Sequence, residues 1–323
     1  MTFTVLVSVS TLAPEGMRQL DAPDLRTLFV SADGGQQQLV ELLAREPVDA
    51  LVLRTLSIDA EMIALCPTLR VISRHGAGFN GVDVAAATKR NIPVFIAPAA
   101  NSQSVAEAAI GLVFAVARNI SGHAAAFQEG LWNRTEIGVQ LSGLTMGLYG
   151  LGAIGRKVAS IAHAVGMRVV AHDRFVNPTT VPVNVELIDN FEDFLRDIDV
   201  LSIHCPLTDE TKGRINGNAL ALMKRGALVV NTARGPIIDE PAMIAALQSG
   251  QIAGAGFDTL AEEPPAADHP YRRMSNVIVT PHIGGNTTAA LNSVAAISVE
   301  NAVSFLRGKT PDRSFCVNPS TLN

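Results

Sequence analysis

Charge is scarce in this sequence: Asp, Glu, Lys and Arg make up 17% of 323 residues, against an apolar share of 48%. A globular domain usually carries about a quarter charged residues. Much of the chain is therefore expected to be hidden, inside sheet cores or between subunits. The net charge of −5 comes with no run of Lys or Arg, which argues against the basic stripe of a nucleic-acid binder. Small molecules and further copies of the chain are the expected partners. Cysteine is equally sparse. Cys66, Cys205 and Cys316 are scattered and match no metal-ligand spacing, so no metal is expected and a reducing cytoplasm fits. The longest apolar run, Ala108–Ala117, is well short of the roughly 18 residues a membrane helix needs. The opening MTFTVLVSVS lacks a basic region and reads as a strand, not a signal peptide.

The length suits about two domains at roughly 150 residues each. Short apolar segments alternate with helix-length amphipathic ones throughout, the pattern of βαβ units and a parallel sheet. In the first half the strand candidates are Phe3–Val9, Thr27–Ser31, Ala50–Arg54, Leu69–Ser73 and Pro93–Ala97, with helices at Gln36–Arg45, Asp59–Leu65 and Val82–Arg90. One long helix is predicted from Ser102 to about Phe127, with Asn101 as its cap. The alternation then restarts with six strands: Thr145–Tyr149, Arg168–His172, Val200–His204, Ala227–Asn231, Ile252–Phe257 and Val277–Thr280. Six is the count of a doubly wound nucleotide domain. A last helix, capped by Asn286, is predicted to reach Leu306 and stop at Gly308.

Gly150-Leu151-Gly152-Ala153-Ile154-Gly155 follows the strand Thr145–Tyr149 and opens a helix. In that setting Gly150 permits a tight turn, Gly152 lets backbone approach a pyrophosphate, and Gly155 allows close helix–strand packing. The N–H groups of Ala153 and Ile154 then lie at the positive end of the helix dipole, which suits a diphosphate. The next strand ends in Asp173, 18 positions after Gly155. A carboxylate there accepts hydrogen bonds from ribose hydroxyls and repels a 2′-phosphate, which favours NAD over NADP. The adjacent Arg174 is a residue type that accommodates that phosphate.

Three further polar groups follow successive strands: Arg234 in Asn231–Gly235, Glu263 in Asp258–Pro264, and His282 in Pro281–Gly285. In an open α/β sheet, ligands bind beyond the carboxyl ends of the strands, so the three are expected to converge. Oxidation of a 2-hydroxy acid needs a base for the hydroxyl proton, and His titrates in the right range. A carboxylate on its other ring nitrogen orients the ring and favours imidazolium. Arg supplies a planar fork for the substrate carboxylate.

These runs, with Leu53-Arg54-Thr55, Arg74–Asp83 and Asn101–Glu107, resemble the D-isomer-specific 2-hydroxyacid dehydrogenases, and within them the 3-phosphoglycerate dehydrogenase-like branch. The resemblance covers roughly residues 45 to 320. It implies a Rossmann-type NAD domain, 101–284, inserted into a flavodoxin-like substrate domain of residues 1–100 and 285–323, with the active site in the cleft. It also implies a homodimer through the nucleotide domain, and a short form without regulatory domains. Carried over by residue, Arg234 binds substrate, Glu263 pairs with His282, and His282 is the proton donor in reduction. Gly150, Gly152, Ala153, Ile154, Gly155, Asp173, Thr232, Ala233, Arg234, Asp258, His282, Gly284 and Gly285 form the cofactor set, with Asp258 near the nicotinamide carboxamide. His204, Cys205 and Pro206 pass the adenine side. Ala77 and Gly78 offer backbone N–H groups to the substrate carboxylate, and Asn101 joins the substrate set.

The chain departs from the commoner pattern at His75 and at Phe79-Asn80, so the substrate is expected to differ from phosphoglycerate in some respect. Arg54 and Arg74 end two first-half strands; two cationic forks suit an anionic tail such as phosphate, sulfonate or a second carboxylate. The competing reading is a nucleotide-sensing co-repressor on the same fold. Neither a P-loop, a HExxH site nor a Gly-x-Ser-x-Gly elbow occurs in the sequence.

Overall fold

The computed structural model describes residues 2–322. It divides into two compact units, Met1–Asn101 with Asn286–Asn323, and Ser102–Gly285. The first unit is a five-stranded parallel sheet of β1 (Phe3–Val7), β2 (Leu25–Phe29), β3 (Ala50–Leu53), β4 (Val71–Arg74) and β5 (Val94–Phe95). Its strand order is β2-β1-β3-β4-β5, the flavodoxin-like arrangement. Successive side chains leave a strand on opposite faces, and both faces here are apolar. Leu6, Leu51, Leu53 and Ile72 pack with residues of α2 (Gly35–Arg45), α3 (Ala60–Leu65) and α4 (Val84–Lys89). Val5, Val7, Val52 and Val71 pack on the other side with Leu20, from a short helix near the N-terminus, and with the C-terminal helix, Thr288–Leu306. That C-terminal helix is long and apolar enough to cross a bilayer, and its Ala295, Val299, Ala302 and Leu306 are buried in the sheet core.

Sequence periodicity passed over the short helix, α1 (Pro14–Leu20), which is only seven residues long and starts on a Pro at its first position. Two caps also correct the reading. Asp59 and Asp83 stand outside α3 and α4 as N-caps, each accepting an amide three residues on. The C-terminal helix is capped by Thr287, whose hydroxyl accepts from Ala290 N, not by Asn286. Gly308, at φ +75°, follows the last turn.

The second unit opens with α5 (Ser102–Ala117) and α6 (Ile120–Gln128). The expected single helix is thus two, bent by 65°. Asn119 sits between them in the left-handed region, φ +45°, a conformation Asn tolerates better than other side chains. The sheet follows with β6 (Thr145–Tyr149), α7 (Ala153–Ala164), β7 (Arg168–His172), β8 (Val185–Leu187), α8 (Phe191–Asp197), β9 (Val200–Ile203) and α9 (Gly217–Leu222). It ends with β10 (Ala227–Asn231), α10 (Glu240–Gln248), β11 (Ile252–Phe257) and β12 (Val277–Val279). All seven strands are parallel in the order β12-β11-β10-β9-β6-β7-β8. The seventh strand is β8, a three-residue edge that carries the exposed Glu186. It is too short and too polar to stand out as an apolar run. The order reverses between β6 and β9, and that switch point opens the crevice where such sheets take ligands.

Candidate active site

The glycine fingerprint lies at this switch point. Gly150 has φ +105°, and a Cβ on it would lie 2.6 Å from Cys205 N. A Cβ on Gly155 would lie 2.3 Å from Gly150 O. Neither position admits a side chain, so the loop and the first turn of α7 stay tight against the sheet. Gly152 is the N-cap of α7, makes no side-chain capping bond and has open space above it. The first N–H groups of a helix have no internal partner, and here they face an opening that suits a diphosphate.

Asp173 fixes this loop from the side. Its Oδ2 accepts from Leu151 N at 2.7 Å, and its Oδ1 accepts from Phe175 N at 2.9 Å and Val176 N at 3.2 Å. Arg174 points elsewhere: its Nη1 donates to Glu210 Oε2 at 2.7 Å. On the far side of β6, His204 bonds Ser202 Oγ through Nε2 at 2.8 Å. Its buried Nδ1 has no partner among the described residues. Burial pushes the His204 pKa down to about 4, so the ring is neutral. The Cys205 thiol is pushed up to about 12, first by burial and then by the Asp173 charge, and is no nucleophile. Pro206 contributes its carbonyl to Thr211 Oγ1 at 2.7 Å, which holds the loop after β9.

At the end of β10 the fully buried Asn231 organises its own turn. Its side-chain oxygen accepts from Ala233 N at 2.9 Å, and its amide donates to Arg234 O at 2.9 Å. Thr232 Oγ1 is buried without a partner among the described residues. A Cβ on Gly235 would lie 1.9 Å from the Leu260 carbonyl carbon, so the Arg234 turn and the Leu260 turn are pressed together. The half-buried Arg234 has its pKa lowered by burial, opposed by the nearby Glu263 carboxylate. Glu263 Oε1 accepts from Leu260 N at 2.9 Å, and its Oε2 lies 2.8 Å from His282 Nδ1.

His282 itself adopts φ +54°, unusual for a residue with a Cβ. Its N–H bonds the carbonyls of Asp258 and Thr280, both at 2.9 Å. The Asp258 carboxylate, 3% exposed, accepts from Thr280 Oγ1 at 2.6 Å, Ile283 N at 2.9 Å and Gly284 N at 2.8 Å. One buried carboxylate thus clamps the loop that presents His282, with Gly284 packed 2.8 Å (as a Cβ) from its Oδ2 and Gly285 following. A cavity of about 730 Å3 opens beside the pair, lined by Asp258, Glu263, Pro264, Met274, Val279 and His282.

In the first unit, Arg54 leaves β3 with its guanidinium unpaired among the described residues, and Arg74 ends β4. Arg74 donates to Gly78 O at 2.9 Å, Leu53 O at 3.1 Å and Arg54 O at 2.7 Å. It therefore shapes the loop more than it offers a fork. The N–H groups of Ala77 and Gly78 find no acceptor among the described residues. Between them and β4 lies His75, 8% exposed, whose pKa falls to about 4 through burial and the Arg54 charge. Asn101 is the last residue before α5.

Sequence reasoning missed the bracing functions of Asn231 and Thr280 and the link from Arg174 to Glu210. The first two lie in or beside the runs singled out, and their single-residue signals are those of ordinary strand ends. Glu210 carried no signal at all. The residues present fit a dinucleotide: a glycine cradle that excludes side chains, an open helix start, and two orphaned buried polar atoms, Thr232 Oγ1 and His204 Nδ1, at neighbouring strand ends.

Comparison with known proteins agrees. Residues 110–284 match the model for the D-isomer specific 2-hydroxyacid dehydrogenase NAD binding domain. The D-3-phosphoglycerate dehydrogenase of Archaeoglobus fulgidus is 39% identical over 272 residues, 83% of this chain and 51% of the relative. The glyoxylate reductase of Aeropyrum pernix is 37% identical over 276 residues, 83% of this chain and 82% of the relative. A solved structure from Thermus thermophilus superposes with a TM-score of 0.90 at 34% identity, covering 98% of this chain and all of that one. The chain spans about half the length of the phosphoglycerate dehydrogenases it matches.

Proposed function

The chain belongs to the D-isomer-specific 2-hydroxyacid dehydrogenase family, and from that premise we propose that it is an NAD-dependent oxidoreductase interconverting a D-2-hydroxy acid and its 2-oxo acid. The observation that carries this reading is the 2.8 Å pair of His282 Nδ1 and Glu263 Oε2, set beside Arg234 on the sheet that holds the dinucleotide loop. Glu263 accepts the Nδ1 proton, which leaves the Nε2 edge of His282 for the substrate. In reduction His282 gives its proton to the carbonyl oxygen, and Glu263 stabilises the imidazolium beforehand. In oxidation the neutral ring takes the hydroxyl proton back. Arg234 binds the substrate carboxylate and polarises the carbonyl; partial burial strengthens both interactions. Bound nicotinamide supplies the hydride in one direction and accepts it in the other. Thr232, Ala233, His204, Cys205, Pro206, Gly284 and Gly285 are the residues that would hold the cofactor, and Asp258 would act on it through the loop it clamps.

The substrate reading is a 2-hydroxy acid with an anionic tail. Arg54 supplies the unpaired cation, Ala77 and Gly78 the backbone donors, and Arg74 holds their loop in shape. Asn101, at the chain's exit from the first unit, belongs to the same set. The apolar strip Phe127, Leu131, Trp132 and Ile137, with Ile137 96% exposed, supports a homodimer through the second unit, since monomers rarely leave such patches open. Sedimentation of a single species at monomer mass at micromolar concentration would overturn that assignment. A cytoplasmic location goes with three buried free thiols.

The test is consumption of NADH against phosphohydroxypyruvate, hydroxypyruvate, glyoxylate, pyruvate, oxaloacetate and sulfopyruvate. His282→Ala is expected to lower kcat by about 10²–10⁴-fold and to leave NADH binding intact. Silence of the parent enzyme across the panel, with NADH bound, would reject the substrate class; undiminished turnover in His282→Ala would reject the mechanism.

A further inference from the structure

Asp173 is not the whole of the adenosine-side chemistry. Arg174 follows it and carries a charge that would welcome a 2′-phosphate. Its guanidinium is already engaged, with Nη1 2.7 Å from Glu210 Oε2. The topology makes this pair more than a chance surface contact. β7 and β9 are the two hydrogen-bonded neighbours of β6, the strand from which the fingerprint departs. Arg174 stands in the loop after β7, and Glu210 in the loop after β9. The pair therefore joins the two loops that flank the fingerprint.

Both ends are held from behind. Asp173, next to Arg174, is fixed by the three amides of Leu151, Phe175 and Val176. The Glu210 loop is closed by Thr211, whose hydroxyl donates to Pro206 O at 2.7 Å and accepts from Thr208 N at 2.8 Å, and by Lys212 N on Thr208 O at 2.9 Å. Two other arginines on this unit are occupied too: Arg214 lies over the Phe191 ring at 4.4 Å and 3.6 Å from Glu192, and Arg156 donates to the backbone and hydroxyl of Thr180 in the loop after β7.

We propose that Glu210 is a specificity-determining residue that keeps Arg174 from a 2′-phosphate, so that NADP is rejected twice, by the Asp173 charge and by an arginine already neutralised. The inference rests on the dinucleotide reading of the second unit. Glu210 acts on the choice between cofactors and takes no part in the reaction of either. It lowers affinity for the phosphorylated nucleotide in two ways, by holding the guanidinium and by leaving its own negative charge nearby. Both side chains are about three-fifths exposed, so the effect is modest, of the size of an exposed ion pair.

The experiment is calorimetric titration of NADH and NADPH into the full chain and into Glu210→Gln, Arg174→Ala and the double variant. Glu210→Gln is expected to bind NADPH about two- to fivefold tighter, with NADH affinity unchanged. In the Arg174→Ala background the same change at 210 is expected to give a clearly smaller gain, the part due to the carboxylate's own charge, because the guanidinium that would receive the phosphate is gone. An unchanged NADPH-to-NADH ratio in Glu210→Gln overturns the proposal. An equal gain in the presence and absence of Arg174 also overturns it, since the carboxylate would then act by repulsion alone. A parent protein that binds neither nucleotide rejects the dinucleotide reading itself, and is told apart from both by its flat NADH titration.

Discussion

Replacing Asp258 by Asn probes the element on which the His282 loop depends. The carboxylate offers one oxygen to Thr280 Oγ1 and Ile283 N and the other to Gly284 N. An amide of the same shape has one oxygen. Placed toward Thr280 and Ile283, it turns its own NH2 on the Gly284 N–H; flipped, it confronts the Ile283 N–H instead. Either way one backbone donor in a nearly closed site loses its acceptor, which costs about 1–3 kcal/mol. The bonds that survive lose their ionic partner, and such bonds are roughly twice as strong as neutral ones. The cheaper burial of an uncharged amide offsets part of this. The expected net loss is about 2–4 kcal/mol for the unit that holds the residue. For a domain of this size that is a fall in Tm of roughly 4–16 °C. The assay is thermal and urea unfolding of the parent, Asp258→Asn and Thr280→Val, with amide exchange followed at Ile283 and Gly284. Thr280→Val removes one donor and keeps the carboxylate, so its loss is expected to be the smaller. Stability of Asp258→Asn within about 0.5 kcal/mol of the parent, or unchanged exchange at both amides, would refute the clamp.

Two further outcomes follow from the same geometry. Gly155→Ala places a methyl 2.3 Å from Gly150 O, so the fingerprint loop must move, and NADH affinity is expected to fall at least tenfold, of order 1.4 kcal/mol; unaltered affinity would show that the loop is looser than drawn. His204 gives a pH signature. Its folded pKa is depressed from 6.5 to about 4, so between those values the unfolded chain binds the extra proton. Its contribution is present above pH 6.5 and is lost as pH falls toward 4, about 3 kcal/mol in all. His204→Gln is expected to flatten that acid limb in a plot of unfolding free energy against pH, and an unchanged slope would count against the buried neutral ring.

Much of this architecture was legible in the sequence. β6, β7, β10 and β11 run as expected because each is a buried apolar run with an abrupt end at Gly150, Asp173, Thr232 or Asp258, and parallel strands covered on both faces leave that trace. The fingerprint was legible because its glycines answer to local geometry. Arg234, Glu263 and His282 stood out because the three sit just past successive strand ends, where doubly wound sheets gather their ligands.

What escaped was either too short to show a period or dependent on a distant partner. α1 spans barely two turns and β8 three residues, so neither establishes a pattern. The break at Asn119 follows a backbone excursion that the apolar stripe on both sides conceals.

Composition and periodicity alone determined that this is a parallel α/β protein with a dinucleotide loop and a polar trio beyond its strands, because those features rest on interactions within a few residues. Tertiary structure alone decided which groups meet: Asp258 with Thr280, 22 residues on, Arg174 with Glu210, 36 residues on, and Arg74 with the carbonyls of a neighbouring strand. A hydrogen bond between such partners depends on how strands are ordered in the sheet, and strand order is set by packing of the whole unit, not by any run of neighbours along the chain.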